Sequence, residues 1–177
     1  MRIQRKIVML LLMLACYILQ GTLFDSLSIG SVTPNLLLIV TISFGFMRGK
    51  KSGIWIGFSC GILKDLMGGG LLGFYALVYL CVGYIAGCCC KIFYDEELRV
   101  PMFLVAFGDL LYGGMIYGLQ YLLRGRVQFF YYFGRIMIPE MIYTVLMTVV
   151  LYRVFFVINK RLTELEMKER DSIWLRK

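Results

Sequence analysis

The stretch TPNLLLIVTISFGFMRGKK, residues 33–51, decides the fold class. Its first fifteen residues carry no charge, and Arg48, Lys50 and Lys51 follow at once. Pro34 suits the first turn of a helix, because its missing N–H would have no partner there. An apolar helix that ends in basic residues is typical of a membrane span ending on the cytoplasmic side.

Similar charge-poor segments lie on both sides of this stretch. A transmembrane helix needs about 20 residues to cross about 30 Å of hydrocarbon, and the second span is expected to begin near residues 32–34. The segments that meet or approach this length are residues 7–24, 26–47, 52–67, 66–90, 100–123 and 136–157. They predict an all-α integral membrane protein with six transmembrane helices in one bundle.

The composition of the 177-residue chain agrees with this prediction. Hydrophobic residues make up 60% of the chain and charged residues 17%, whereas soluble domains average about 45–50% and about 25%. The chain has no histidine, which excludes histidine-based catalysis and histidine-ligated metals. The six cysteines fall in or beside the spans, where cysteine usually acts as a small hydrophobe, so we predict no metal and no cofactor.

The basic residues set the orientation, because cytoplasmic loops are enriched in lysine and arginine. Six spans with both termini inside place most of them in the cytoplasm: Arg2, Arg5, Lys6, Arg48, Lys50, Lys51, Lys91, Arg99, Arg153, Lys160, Arg161, Lys168, Arg170, Arg176 and Lys177. The basic residues that give the chain its net charge of +8 then form a cytoplasmic rim that faces anionic lipid. They do not indicate a nucleic-acid site. We predict a transmembrane domain over residues 1–158 and a charged cytoplasmic tail over residues 159–177.

The charged residues within the predicted spans are chiefly Lys64, Asp65 and Asp109. Such residues are costly inside a membrane and each is a functional hypothesis. Lys64 and Asp65 are adjacent and so point about 100° apart on a helix. We expect Lys64 to extend outward to the interface and Asp65 to face the bundle or an aqueous cavity. Glu140 follows Pro139, and we interpret it as a first-turn acid favoured by the helix dipole.

Glycine recurs every fourth residue on three of the predicted spans. The pairs and triplets are Gly53, Gly57 and Gly61, then Gly83 and Gly87, then Gly114 and Gly118. Small residues at this spacing allow two helix backbones to approach closely. We predict that these faces pack inside the bundle, and packing against a separate membrane protein is the alternative.

The central third of the chain, residues 33–87, resembles the rod shape-determining protein MreD family. The resemblance rests on Pro34-Asn35-Leu36, on Gly57-Phe58 with Gly61 and Asp65, and on Leu72-Gly73 with Ala76-Leu77. Asn35 stands where the family often has aspartate. The matching positions are the expected partner-binding or helix-packing residues: Pro34, Asn35, Gly57, Phe58, Gly61, Asp65 and Gly73.

The resemblance implies a non-enzymatic scaffold of the bacterial cell-elongation machinery in the cytoplasmic membrane. Such a protein would help control rod shape and lateral peptidoglycan synthesis. Its implied partners are an MreC-like membrane-anchored protein, cytoplasmic MreB, and the wall synthases, namely RodA and a class B penicillin-binding protein.

Two other functions remain open. MreD-like proteins are similar in fold to the substrate-binding S components of energy-coupling-factor transporters, so a small-molecule transport subunit is the first alternative. It requires a polar, aromatic-lined cavity that opens outward. An intramembrane enzyme is the second, and it requires Asp65 and Asp109 to act as a pair. No other catalytic constellation accompanies the two aspartates, so we predict that the chain is not an enzyme.

Overall fold

The computed structural model describes residues 3–26, 33–68, 72–90, 99–122 and 129–174. Within these ranges every regular element is helical, which confirms the predicted all-α class. The helices are α1 (Ile3–Ser26), α2 (Leu36–Arg48), α3 (Lys50–Gly68), α4 (Phe74–Cys89), α5 (Arg99–Ile116), α6 (Phe129–Tyr132) and α7 (Ile138–Trp174). Two π-helical segments, Tyr117–Leu122 and Phe133–Met137, extend α5 and precede α7.

Helix α2 is the centre of the bundle. Its residues from Leu36 to Phe46 are all buried, and α1, α3, α4, α5 and α7 pack around it. A helix that is apolar on every face is stable when other helices surround it. It begins slightly later than expected, because the side chain of Asn35 accepts a hydrogen bond from the Leu38 N–H and caps the first turn.

Helices α3 and α4 make the most extensive contact in the bundle. A Cβ atom on Gly53 would overlap the carbonyl oxygen of Gly83, and a Cβ atom on Gly57 would overlap that of Tyr79. One on Gly61 would overlap the backbone of Ala76. Glycine is therefore required along this face, which packs inside the bundle as the spacing predicts.

Among the described residues, the prediction of internal packing is wrong for Gly114 on α5 and for Gly118 on the π-helical segment that follows it. A Cβ atom on Gly114 or on Gly118 would meet nothing within 4 Å. Gly113, the residue before Gly114, faces Met137 instead, because a Cβ atom there would contact the Met137 side chain. The four-residue spacing identified a common face, but that face lies on the surface of the described bundle.

Within the part of the chain that the structure describes, two helical stretches, Val100–Leu119 and Phe133–Glu164, are long and apolar enough to cross a membrane. Three shorter apolar helices are Ile7–Thr22, Leu36–Arg48 and Phe74–Cys89. The six-span topology remains a prediction. Helix α7 has 37 residues and continues without a break past residue 158, the predicted end of the transmembrane domain.

Candidate functional site

Asp65 joins the end of α3 to the beginning of α4. Its carboxylate accepts hydrogen bonds from the backbone N–H groups of Gly73 (2.9 Å), Tyr75 (3.0 Å) and Ala76 (3.0 Å). The first N–H groups of a helix have no partner within it, and bonds to a carboxylate are among the stronger ones. Asp65 faces the bundle, as predicted, and acts there as a cap supplied by the preceding helix.

Gly73 allows the chain to enter α4 beside this carboxylate. Its φ angle of +98° lies in the left-handed region, which other residues rarely adopt. The same residue donates its N–H to Asp65. The two residues therefore form one turn that fixes α3 against α4.

Lys64 points in a different direction, toward a cluster of tyrosines. Its Nζ atom donates a hydrogen bond of 2.6 Å to the hydroxyl of Tyr112 and lies 3.5 Å from that of Tyr79. The same atom is 5.0, 5.6 and 4.9 Å from the ring centroids of Tyr75, Tyr79 and Tyr112. The expectation that Lys64 extends outward is wrong, because hydroxyls and ring faces solvate its amine inside the protein.

Two acidic residues share this environment. Asp109, on α5, is buried, and Glu140 stands in the first turn of α7. Both interact electrostatically with Lys64. Buried charges are tolerated where they are paired, so the amine stabilises each carboxylate, whereas the two carboxylates repel each other. Lys64 thereby links α3 to α5 and α7.

Asn35 extends the cluster to α2. Its Oδ1 atom accepts a 2.6 Å hydrogen bond from the hydroxyl of Tyr79, and its backbone N–H donates to Thr144 on α7 at 3.3 Å. Among the described residues, two buried atoms have no hydrogen-bond partner here: Asn35 Nδ2 and Asp109 Oδ1. The cluster thus draws on five helices and retains one unused donor group and one unused acceptor.

The three tyrosines also contact one another. Tyr75 stacks on Tyr112 with a centroid distance of 6.4 Å, and Tyr79 meets the edge of Tyr112 at 5.4 Å. Residues 75 and 79 are one turn apart on α4, and Tyr112 follows Asp109 by nearly one turn on α5. This spacing was a usable signal, but an uncharged hydroxyl in an apolar segment does not stand out in the sequence as a charged residue does. Tyr75, Tyr79, Tyr112 and Thr144 were therefore missed, and Glu140 was interpreted only as a first-turn acid.

The sequence-predicted residues divide into three groups in the structure. Asn35, Lys64 and Asp109 belong to the group of contacting side chains described above, which we call the polar cluster. Its other members are Tyr75, Tyr79, Tyr112, Glu140 and Thr144. Asp65 and Gly73 instead form the turn before α4. Gly57 and Gly61 lie at the α3/α4 contact, and Pro34 is buried just before α2. Phe58 is exposed on α3. Asp65 binds backbone amides and Asp109 faces Lys64, so the two aspartates have separate environments.

The family model described as rod shape-determining protein MreD matches residues 1–162 of the chain. No curated protein sequence and no solved structure matches the chain significantly.

Proposed function

Because the chain belongs to the MreD family of rod shape-determining proteins, we propose that it is a non-enzymatic scaffold of the bacterial cell-elongation machinery. The family match over residues 1–162 is the observation that carries the proposal. The arrangement of the polar cluster supports it, because its hydrogen bonds and charges tie helices together. The scaffold would couple lateral peptidoglycan synthesis to rod shape.

We place the protein in the cytoplasmic membrane with six spans and both termini inside. The apolar outer surface of the bundle supports this placement. Large hydrophobic side chains are exposed on several helices, for example Leu10 on α1, Trp55 on α3, Phe103 on α5 and Leu146 on α7. Exposure of such an extended apolar surface to water is unfavourable, whereas lipid or a partner helix would cover it.

The outer face of α3 is our proposed contact for an MreC-like partner. Trp55, Phe58 and Leu66 are exposed along it, with Trp55 72% exposed. Buried aromatic side chains contribute much of the binding energy at protein interfaces. The opposite face of α3 is held by α4 through its glycines, so a partner on the outer face would bind a rigid surface.

Helix α7 supplies the cytoplasmic contact. Beyond residue 158 it continues to Trp174, which adds about 24 Å of helix at 1.5 Å per residue. Its charges project from the membrane in the proposed topology. We propose this extension as the surface that meets MreB, while RodA and the class B penicillin-binding protein join through the membrane domain.

The test is complementation in the encoding bacterium after depletion of the chromosomal copy. The wild-type chain is expected to restore rod shape and to copurify with the MreC-like protein. Phe58→Ala should weaken copurification, whereas Leu77→Ala, an exposed residue on α4, should not. Failure of the wild-type chain both to restore shape and to retain the partner contradicts the proposal, and equal retention by both variants rejects the α3 surface.

A transport subunit is the second candidate, and the tyrosine-lined polar cluster favours it. Lys64, Asp109 and Asn35 offer both donors and acceptors beside aromatic rings, which is the chemistry of many small-molecule sites. An S-component-like subunit would copurify with an ATPase-containing coupling module. Recovery of that module in place of an MreC-like protein would support transport over scaffolding.

A further inference from the structure

The polar cluster contains one basic and two acidic side chains. Lys64 comes from α3, Asp109 from α5 and Glu140 from the first turn of α7. Asp109 is only 4% exposed, and the other two are partly buried. Among the described basic residues, Lys64 is the one that interacts with both carboxyl groups. With all three groups ionised, the cluster would therefore bury one negative charge in excess.

The surroundings of Lys64 favour its charged form. Its Nζ atom donates a 2.6 Å hydrogen bond to the hydroxyl of Tyr112 and lies 4.9–5.6 Å from three tyrosine ring centroids. The faces of aromatic rings carry negative electrostatic potential, which attracts an ammonium group. The amine therefore supplies one positive charge, and the balance depends on the two carboxyl groups.

The two carboxyl groups compete for this one cation. They repel each other when both are ionised, so one of two carboxyl groups that share a site tends to keep a proton. Glu140 lies where the helix dipole favours a negative charge. Asp109 lies within α5, and its buried Oδ1 atom has no hydrogen-bond donor among the described residues. An ionised carboxylate buried in this way costs much more free energy than a neutral carboxyl group.

The other polar groups around these three side chains are uncharged or already paired. Near neutral pH, amides, hydroxyls and thiols carry no net charge. Asp65, also on α3, binds three backbone N–H groups at the turn before α4. The uncharged groups, which come from α2, α3, α4, α5 and α7, are Asn35, Cys60, Tyr75, Tyr79, Tyr112 and Thr144. The charge of the cluster is therefore set by its one amine and two carboxyl groups.

We propose that the polar cluster binds one proton, shared by the carboxyl groups of Asp109 and Glu140, and that this proton keeps α5 and α7 packed against α3. The shared proton leaves the cluster neutral, with one carboxylate paired to the Lys64 ammonium group. When the proton is lost, the two carboxylates repel each other across the α5/α7 contact. The proposal goes beyond the scaffold function and does not depend on it.

The side of the membrane from which the proton comes follows from the proposed topology. Helices α3 and α5 end, and α7 begins, toward the outer face of the membrane. Lys64 and Glu140, the partly exposed members of the three, are at this end of the bundle. The proton therefore exchanges with the medium on the outer side, and the α5/α7 contact responds to the pH there.

Infrared spectroscopy of the purified full chain, in a detergent without carbonyl groups, detects the proton directly. A protonated carboxyl group has a C=O stretching band that an ionised one lacks. The wild-type chain should show this band at about pH 7, far above the ordinary range of carboxyl groups. Asp109→Asn and Glu140→Gln should each abolish it, because one carboxyl group beside one ammonium group needs no proton. Glu164→Gln, which removes an exposed acid of α7, should leave it unchanged.

Two infrared results overturn the proposal. Absence of the band from the wild-type chain shows that the cluster holds no proton. Persistence of the band in Glu140→Gln shows that burial alone protonates Asp109, without sharing between the two carboxyl groups.

The pH dependence of unfolding is a second, independent measure. The chain has no histidine, so no side chain of ordinary pKa changes its charge between about pH 5 and about pH 8. If the folded state holds one proton that the unfolded state releases, stability falls as the pH rises. The equilibrium constant for unfolding should then increase about tenfold per pH unit, until the folded state also releases its proton.

The same variants apply to this measurement. The dependence should be present in the wild-type chain and in Glu164→Gln, and absent from Asp109→Asn and Glu140→Gln. A wild-type chain whose unfolding equilibrium does not change with pH in this range refutes the shared proton, and so does an equal dependence in all four chains.

These results are separable from those for the scaffold. A wild-type chain that restores rod shape and retains its MreC-like partner, but shows neither the infrared band nor the pH dependence, rejects the shared proton alone. A chain that shows both, but neither restores shape nor retains that partner, supports the proton site and contradicts the scaffold function.

Discussion

Replacing Gly57 with alanine should open the tightest helix contact in the protein. The new Cβ atom would overlap the carbonyl oxygen of Tyr79 and lie 2.9 Å from its carbonyl carbon, and it would meet the Thr41 Cγ2 atom at 3.2 Å. Two of these neighbours are backbone atoms, which have no alternative rotamer. Helices α3 and α4 must separate by about 1 Å to restore ordinary contact distances of about 3.5 Å.

The cost can be compared with a glycine that has free space. Overpacking of this kind costs about 1–3 kcal/mol. Alanine also favours a helix over glycine by about 1 kcal/mol, which offsets part of the loss. Gly114→Ala gains the same helix preference and meets nothing within 4 Å. The difference between the two variants therefore isolates the overlap, and we expect Gly57→Ala to be less stable by about 1–3 kcal/mol.

Equilibrium unfolding in mixed micelles with increasing denaturing detergent measures this difference. Helix content by circular dichroism and the fluorescence of Trp55, which is on α3, report the transition. Gly114→Ala is expected to unfold at or above the wild-type midpoint and Gly57→Ala below it. If the two variants unfold together, the α3/α4 contact does not depend on glycine and the packing argument is wrong.

Three further substitutions probe the polar residues. Asp65→Asn removes the charge that caps α4 and should lower the free energy of unfolding by about 0.5–2 kcal/mol. It should impair rod shape in a depletion strain more than Asp109→Asn does, and equal phenotypes contradict this order. Lys64→Met removes the cationic partner of buried carboxyl groups and should lower the free energy of unfolding by about 3–5 kcal/mol. Adding Asp109→Asn should recover part of that loss. Strictly additive losses in the double-mutant cycle would exclude the pairing. Tyr79→Phe removes one of the two hydrogen bonds that Asn35 Oδ1 accepts and should lower stability by about 0.5–1.5 kcal/mol. Tyr84→Phe, at an exposed ring, should change it by less than about 0.5 kcal/mol; similar shifts in the two unfolding midpoints would argue against the buried hydrogen bond.

The amino-acid sequence predicted features that depend on composition and on period. The high apolar fraction and the charge-poor segments of span length made the helical class predictable, and the motifs in residues 33–87 identified the family. The four-residue spacing of Gly53, Gly57 and Gly61 identified a face for close packing, because residues four apart lie on one side of a helix. The same rule showed that Lys64 and Asp65 must diverge.

The tertiary structure determined what covers each face. The spacing of Gly114 and Gly118 equals that on α3, yet no neighbour approaches them, since a helical period describes one helix and not the helix beside it. The residues that interact with Lys64 lie on α4, α5 and α7, which are far apart in the chain. The polar cluster therefore exists only where five helices converge. The helices and the family follow from local patterns, while the cluster follows from the packing that brings distant residues together.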